Sequence, residues 1–283
     1  MRNRLLKSGA KLRTRWEGTE IFYRRHPEHY DRLIKWKVRD FGHITDAKLL
    51  LMAMIITEGC ICRHTIHFTN TQEMLHERFK QLIHEAYGDV RVGRNGLNSR
   101  ISSTQIIKEL SPHIAGKVFA GSILSRILSS HNLAIRVAKI IADTEGSMII
   151  SIRRAPRNYT VEFRVVLACT NSAFSVQIKA ILGSLGIESR INRVGVHILS
   201  HDNIKRFVEL VGFTPGIKVV RKKAGVAVWY GHDKNTMSRI FLRVSEEQKR
   251  VWGNPARGLF ASCKTREKTV ERLMSLYREA NVG

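Results

Sequence analysis

Acidic side chains are scarce in this chain: 24 Asp and Glu stand against 48 Lys and Arg, giving a formal net charge of +24 and a sequence pI of about 10.5. A surplus of that size calls for a polyanionic partner, with nucleic acid first and an anionic membrane surface as the alternative. Long apolar runs are also missing. The longest wholly apolar stretch, Leu49 to Ile56, falls far short of the roughly 20 residues that a membrane-spanning helix needs. The basic N-terminus holds no apolar signal core, so an intracellular protein is expected. Cysteine is sparse: Cys60, Cys62, Cys169 and Cys263 form no CxxC pair and have no paired histidines nearby. That argues against a zinc site and leaves buried free thiols as the expectation, with Cys60 and Cys62 alternating along a strand. At 283 residues, 43% apolar and 25% charged, the chain can form one large domain or two medium ones with ample core.

What the chain does contain is a repeat. Leu51-Met52-Ala53-Met54-Ile55-Ile56-Thr57-Glu58-Gly59 has a second copy in Ala138-Lys139-Ile140-Ile141-Ala142-Asp143-Thr144-Glu145-Gly146. Each copy is an apolar run closing on Thr-Glu-Gly, and the two glutamates lie 87 residues apart. Asp46 and Asn132 suit helix N-caps, and Gly59 and Gly146 read as stops just past a helix end. A carboxylate in that last turn faces the negative end of the helix dipole, which costs a few tenths to about 1 kcal/mol. Two such helices side by side would gather two carboxylates and two dipole ends, and a divalent, oxygen-seeking cation would relieve all four. One copy alone reads as a core helix with a solvated glutamate. Two copies, each followed by the same order of elements, point to a site.

The order repeats as follows. After the first apolar helix, Ile61 to Thr69 alternates as a hairpin, and a helix over 72–87 stops at Gly88. Strands near 90–93 and 97–102 flank an Asn-Gly turn, and a helix over 103–110 ends before Pro112. After the second, strands over 147–153 and 160–168 surround a turn at 155–158, a helix over 173–185 stops at Gly186, and strands near 188–194 and 196–199 lead to a helix ending before Pro215. Thr170-Asn171-Ser172 matches Thr69-Asn70-Thr71, which makes the second hairpin longer by 14 residues. The chain thus divides into a basic N-terminal extension (1–43), a first repeat and linker (44–130), a second repeat (131–224) and a basic C-terminal extension (225–283). The N-terminal extension carries 12 Lys and Arg with Trp16, Phe22, Tyr23, Tyr30 and Trp36 interleaved. It suits phosphate contact or a solvated cap and is expected to be part helical over 27–38. The region beyond 217 carries 15 Lys and Arg and a helix over 265–280 whose apolar face is Leu273, Leu276 and Tyr277.

Two apolar helices ending in acid-Gly, each opening an αββαββα unit, resemble a single-chain LAGLIDADG homing endonuclease over residues 45–224. The resemblance implies an α+β fold of two pseudo-symmetric repeats, whose two antiparallel sheets form a saddle along the DNA major groove. It implies that Glu58 and Glu145 bind Mg²⁺ or Mn²⁺ at the pseudo-dyad, with both strands cut across the minor groove. Asn70 and Asn171 match the position that orders solvent. Lys117 matches the lysine following the last helix of a repeat, with Lys218 or Lys222 standing in for it in the second. The chain departs from the family in using Glu at both acids, where Asp is commoner. It also has fewer small residues early in the motifs: Ala53 in one copy, Ala138 and Ala142 in the other.

The residues support the same chemistry without the resemblance. Phosphodiester hydrolysis needs an activated water, charge neutralisation and a stabilised leaving oxygen, and metal held by carboxylates supplies these. Glu58 and Glu145, with the Gly59 and Gly146 carbonyls, are the candidate ligands, and Lys117 the phosphate stabiliser. No Ser or His triad spacing stands out, and His64, His67, His197 and His201 read as surface or strand-facing polar residues. Strand alternation places Ile150, Ile152, Val161, Phe163, Val165 and Leu167 inside. Candidate DNA contacts on the other face and turns are Arg91, Arg94, Asn98 and Arg100 in the first repeat. In the second they are Ser151, Arg153, Arg157, Glu162, Arg164, Arg190, Asn192 and His197. Arg pairs with guanine and Asn with adenine in the major groove. The expected product is a monomeric, site-specific DNA endonuclease with an asymmetric target. An RNA-binding maturase acting on intron RNA and a non-cleaving DNA-binding regulator are the rivals. No protein-splicing termini are visible, so a free-standing or intron-encoded product is expected over an intein.

Overall fold

In the computed structural model the described residues are 42–154, 159–220, 229–250, 260 and 262–281. Most of the N-terminal extension, Arg157, Lys222 and the turn at 155–158 lie outside them. The first repeat runs α1 (Asp46–Glu58), β1 (Gly59–Ile61), β2 (Ile66–Thr69), α2 (Glu73–Tyr87), β3 (Gly93–Asn95), β4 (Asn98–Ile101) and α3 (Thr104–Leu110). A linking helix α4 (Gly121–Ser129) leads to α5 (His131–Glu145), β5 (Gly146–Arg154), β6 (Tyr159–Ala168), α6 (Ser172–Ser184), β7 (Arg190–Asn192), β8 (Gly195–Ile198) and α7 (His201–Leu210). Beyond these lie α8 (Lys234–Arg250) and α9 (Arg266–Asn281). Both sheets are four-stranded and antiparallel, in orders β1-β2-β4-β3 and β5-β6-β8-β7. The expected α+β architecture with doubled αββαββα order is present.

The two motif helices pack against each other and against their own sheets. Leu49 through Ile56 are all at most 3% exposed, so α1 is apolar all round because it is buried all round. Ala53, Ala134, Ala138 and Ala142 are buried in the pair; small side chains let helices approach closely. The caps are Thr45 and Ser130, whose hydroxyls accept from Lys48 N and Leu133 N, both at 3.3 Å. Asp46 and Asn132 sit inside the helices instead. Asp46 opens α1, where the dipole favours an anion, and its carboxylate meets Arg126 at 2.8 Å and Arg136 at 3.5 Å.

Gly59 and Gly146 do not end their helices by turning left-handed. Both are extended (φ −107° and −81°) and are the first residues of β1 and β5. They are required by crowding. A Cβ on Gly146 would lie 2.3 Å from Ala142 O, and one on Gly59 would lie 2.7 Å from Ile55 Cα and 2.9 Å from His67 O. The chain passes from helix to strand with no room for a side chain. The expected stops at Gly88 and Gly186 do turn left-handed (φ 76° and 69°). In the β3–β4 hairpin the turn sits at Gly96 (φ 54°) and Leu97, one step beyond the sequence expectation.

The C-terminal segment packs onto the second repeat. Met237, Ile240, Phe241 and Val244 of α8 and Leu273 and Leu276 of α9 are buried, and the Phe241 ring meets Phe163 edge-on at 5.3 Å. The cysteine expectation fails at two positions. Cys60 in β1 and Cys62 just past its end are exposed, their sulfurs 3.9 Å apart, while Cys263 is buried.

One buried charge ties the start of α1 to α3. Lys48, fully buried, pairs with Glu109 at 2.7 Å, donates to His43 O at 2.8 Å and lies 5.1 Å above the Tyr87 ring. Removing one partner of a buried pair strands the other. Lys48→Met should therefore lower unfolding free energy by about 3–5 kcal/mol in urea titration, and Lys48→Met with Glu109→Leu should recover most of it.

Candidate functional site

A cleft of about 750 Å³ lies over the outer face of the second sheet and against Thr69, Gln72 and Leu97 of the first repeat, and both motif glutamates line it. Glu58 and Glu145 are the last residues of α1 and α5 and are half-buried. The preceding threonines bond back to their own helices: Thr57 Oγ1 donates to Ala53 O at 3.0 Å and Thr144 Oγ1 to Ile140 O at 2.8 Å. Among the described residues no cluster of three or more His, Cys, Asp or Glu exists. The donor set is two hard carboxylates, which fits a cation that completes its shell with water and phosphate, as Mg²⁺ does. Gly59 and Gly146 stand opposite Phe68 and Leu167 in the strand ladders, adjacent to the glutamates.

The polar residues matched by sequence are re-paired by the structure. Thr69 stands opposite Asn98 and Asn70 N donates to Leu97 O at 3.0 Å; Ala168 stands opposite Gly195 and Cys169 N donates to Val194 O at 3.1 Å. Asn70 therefore corresponds to Cys169, and the counterpart of Asn171 is Gln72. Both occupy the N-cap position of the following helix. On this register the second hairpin is 12 residues longer, not 14 (Glu58 to Thr69 against Glu145 to Ala168). The shared Thr-Asn spelling misled the alignment because the strand ladder, not the dipeptide, sets register.

Gln72 and Asn171 each reach into the segment that crosses from the other repeat. The Gln72 amide brackets Lys218, donating to its O at 3.1 Å and accepting from its N at 2.6 Å. Asn171 Nδ2 donates to Gly116 O at 2.9 Å while its Oδ1 caps α6 through Phe174 N. Gln177 adds a second bracket on Phe119, at 2.9 and 2.8 Å. Lys117 is the sole non-glycine residue with positive φ (58°) among the described residues, beside Gly116 at 68°, so this turn is held by its crossing contacts. Its charge acts on Cys60, two residues past Glu58; there burial and the Cys62 thiol push the Cys60 pKa up, and Lys117 opposes them.

Sequence reading missed three residues. Lys234, only 4% exposed, lines the cleft with both glutamates and donates from Nζ to Asp143 O at 3.1 Å. Burial pushes its pKa down to about 8 against the opposing pull of Asp143, Glu145 and Glu58. It stood among 15 basic residues of a region with no motif, and only burial singles it out. Asp143 is buried, which raises its pKa, although Thr214 binds both carboxylate oxygens at 2.8 and 2.6 Å. His76, buried in α2, bonds Asn70 O at 2.9 Å through Nε2 and Ser99 Oγ at 2.8 Å through Nδ1. A carbonyl can only accept, so Nε2 carries a proton and donates to Asn70 O.

Strand register places the candidate DNA contacts. Arg91, Asn98, Arg100, Arg190 and Asn192 are exposed as expected. Arg100 stands opposite His67, and Asn98 accepts from Thr69 Oγ1 at 2.6 Å. In the second sheet Ser151 faces Glu162 and Ile149 faces Arg164, and Arg153 Nε pairs with Glu162 at 2.8 Å. Two expectations change. Arg94 stands opposite the buried Ser99 and pairs with Glu73 of α2 at 3.0 Å, so it turns to the helical layer. His197 shares the outer face with Val166 and Arg190 but is 8% exposed, and burial with the Arg164 charge lowers its pKa. No described helix is long and apolar enough to cross a membrane.

Solved structures offer likenesses at low identity. A structure of mesophilic variants of the homing endonuclease I-DmoI is 16% identical, covering 59% of this chain and 91% of its own, with a TM-score of 0.42. I-DmoI in complex with DNA and Mn is 17% identical over 60% of this chain and 98% of its own, at 0.40. Full-length DUF199/WhiA from Thermatoga maritima is 12% identical over 86% of this chain and 94% of its own, at 0.40. No family model and no curated protein matches the sequence. The architecture stands on the chain's own topology, two four-stranded antiparallel sheets each entered from a motif helix. Likenesses of this degree carry no activity, metal or target over to the chain.

The His76 bridge gives the site a pH signature. Burial lowers its pKa below the ordinary 6.5, so the folded state disfavours the charged ring. The stabilising contribution is present above about pH 6.5 and lost as pH falls through the lower folded value. Urea midpoints should therefore drop below about pH 6.5 in the wild type, and His76→Gln should flatten that part of the profile.

Proposed function

We propose that the chain is a metal-dependent, site-specific double-strand DNA endonuclease acting as a monomer on a long asymmetric target. The observation that carries this reading is that Glu58 and Glu145, one from each repeat, line one cleft of a chain with net charge +24. Glu58 and Glu145, with the Gly59 and Gly146 carbonyls beside them, would hold Mg²⁺ or Mn²⁺. Bound there, the cation supplies an activated water and neutralises charge on the phosphate. Lys117 and Lys218 sit on the crossing turns, where each can stabilise phosphate charge for one strand. Gln72 and Asn171 fix those turns and orient solvent. Arg91, Asn98 and Arg100 read one half-site in the major groove. Ser151, Arg153, Glu162, Arg164, Arg190 and Asn192 read the other. The two sets differ in residue type and in strand length, so the halves of the target differ.

A second reading is a DNA-binding protein that does not cut. It is favoured by Lys234, a buried lysine that lines the same cleft as the glutamates, and by the limit of two acidic donors among the described residues.

The deciding experiment is cleavage of a duplex library in Mg²⁺ and in Mn²⁺ by the wild type, Glu58→Gln and Glu145→Gln. The nuclease reading expects one long site to be cut, with each substitution lowering double-strand cleavage by about a hundred-fold or more while affinity holds. Tight duplex binding, unchanged by Glu58→Gln and without any cut product, would establish the non-cleaving reading. Preference for structured intron RNA over duplex DNA would overturn both.

A further inference from the structure

We infer that Cys60 and Cys62 form a two-thiolate chelating site for a soft, singly charged cation of the Cu⁺ type, on the outer face of the first sheet. The inference needs neither the nuclease nor the DNA-binding reading.

Residues two apart on an extended chain share one face. Cys60 lies in β1 opposite His67 of β2, whose neighbours Ile66 and Phe68 are buried in the core. Cys62 follows the last residue of β1, and its N donates to Thr65 O at 2.8 Å, closing the hairpin. Strand pairing thus holds the backbone under both thiols. Both side chains are exposed, and one thiol donates to the other across 3.9 Å. That separation selects the chemistry. A disulfide needs sulfurs about 2.05 Å apart, so oxidation would have to draw the pair together against the hairpin. Two metal–thiolate bonds of about 2.3 Å set their sulfurs about 3.8 Å apart at a tetrahedral angle and about 4.6 Å apart in a line. The observed spacing falls inside that range. Thiolates select soft cations. Among the described residues no third His, Cys, Asp or Glu joins the pair, and His67, across the ladder, has its Nε2 engaged with Thr65 Oγ1 at 2.8 Å. Zn²⁺ takes four ligands, whereas Cu⁺ is satisfied by two thiolates. On binding, each thiol gives its proton to solvent and the complex carries one negative charge; no electron moves. In the second repeat the same positions after the motif glycine hold Ser147 and Ile149, so the pair belongs to this hairpin and is not something the repeat requires.

The test uses full-length, reduced, DNA-free protein without oxygen, titrated with Cu⁺ held by the chromogenic chelator bicinchoninate. The wild type should withdraw one Cu⁺ per chain. Cys60→Ser and Cys62→Ser should each weaken that binding by about a hundred-fold or more, because the second thiol acts at high effective concentration. Cys169→Ser and Cys263→Ser should leave it unchanged. A readout that needs no variant is alkylation mapped by mass spectrometry: one equivalent of Cu⁺ should protect Cys60 and Cys62 from iodoacetamide. Equal alkylation of both thiols with and without Cu⁺ overturns the inference. So does a Cys60→Ser or Cys62→Ser protein that holds Cu⁺ as tightly as the wild type. Copper-treated protein that carries a Cys60–Cys62 disulfide and no metal overturns it as well, in favour of an oxidation site.

Discussion

The constraint on which the rest depends is the close side-by-side packing of two buried helices that end together. α1 and α5 contribute the centre of the apolar core, and their last residues are glutamates. Neither helix frays into a loop. Each passes straight into a strand through a glycine whose Cβ would collide with backbone atoms one turn earlier. Helix end, carboxylate and first strand are therefore fixed as one unit, and each sheet is aimed by the helix that precedes it. A dense core transmits such placement without slack, so the two carboxylates line one cleft.

The repeats are not merely adjacent; they exchange segments. After each repeat the chain crosses and is held by an amide from the other half: Gln72 on Lys218, Asn171 on Gly116 and Gln177 on Phe119. Main-chain groups bracketed in this way fix a turn regardless of which side chains it carries. By this bracketing Lys218 corresponds to Gly116, the residue before Lys117. It also couples the halves, since loosening one half's helix start releases the other half's lysine-bearing turn.

Electrostatics divide the molecule unevenly. The chain carries a formal net charge of +24, which suits a polyanion. Two buried lysines stand out: Lys48 pairs with Glu109, and the Lys234 ammonium donates to the Asp143 carbonyl. Surface arginines act through a screened field. Buried pairs act at short range and set which conformations of the core exist at all. Asp46, placed at the start of α1 and met by Arg126 and Arg136, joins the two motif helices at their other end.

The sequence alone determined the doubled architecture, the two motif helices and their glutamates, and the inside face of each long strand. Those follow from local periodicity: a wholly apolar run forms a buried helix, and alternation sorts a strand's two faces. It also gave the C-terminal helix and its buried Leu273 and Leu276. Tertiary structure decided the rest because register and burial are non-local. The pairing of Gln72 with Asn171 depends on which residue stands opposite Asn98 or Gly195 in a ladder, and dipeptide spelling carries no information about that. Arg94 turns to Glu73, and His197 is covered by its neighbours, through contacts that join distant parts of the chain. Lys234 and Lys48 look like any other lysines in a basic sequence. Only the folded chain, by removing water from two of them, turns a surplus charge into a structural one.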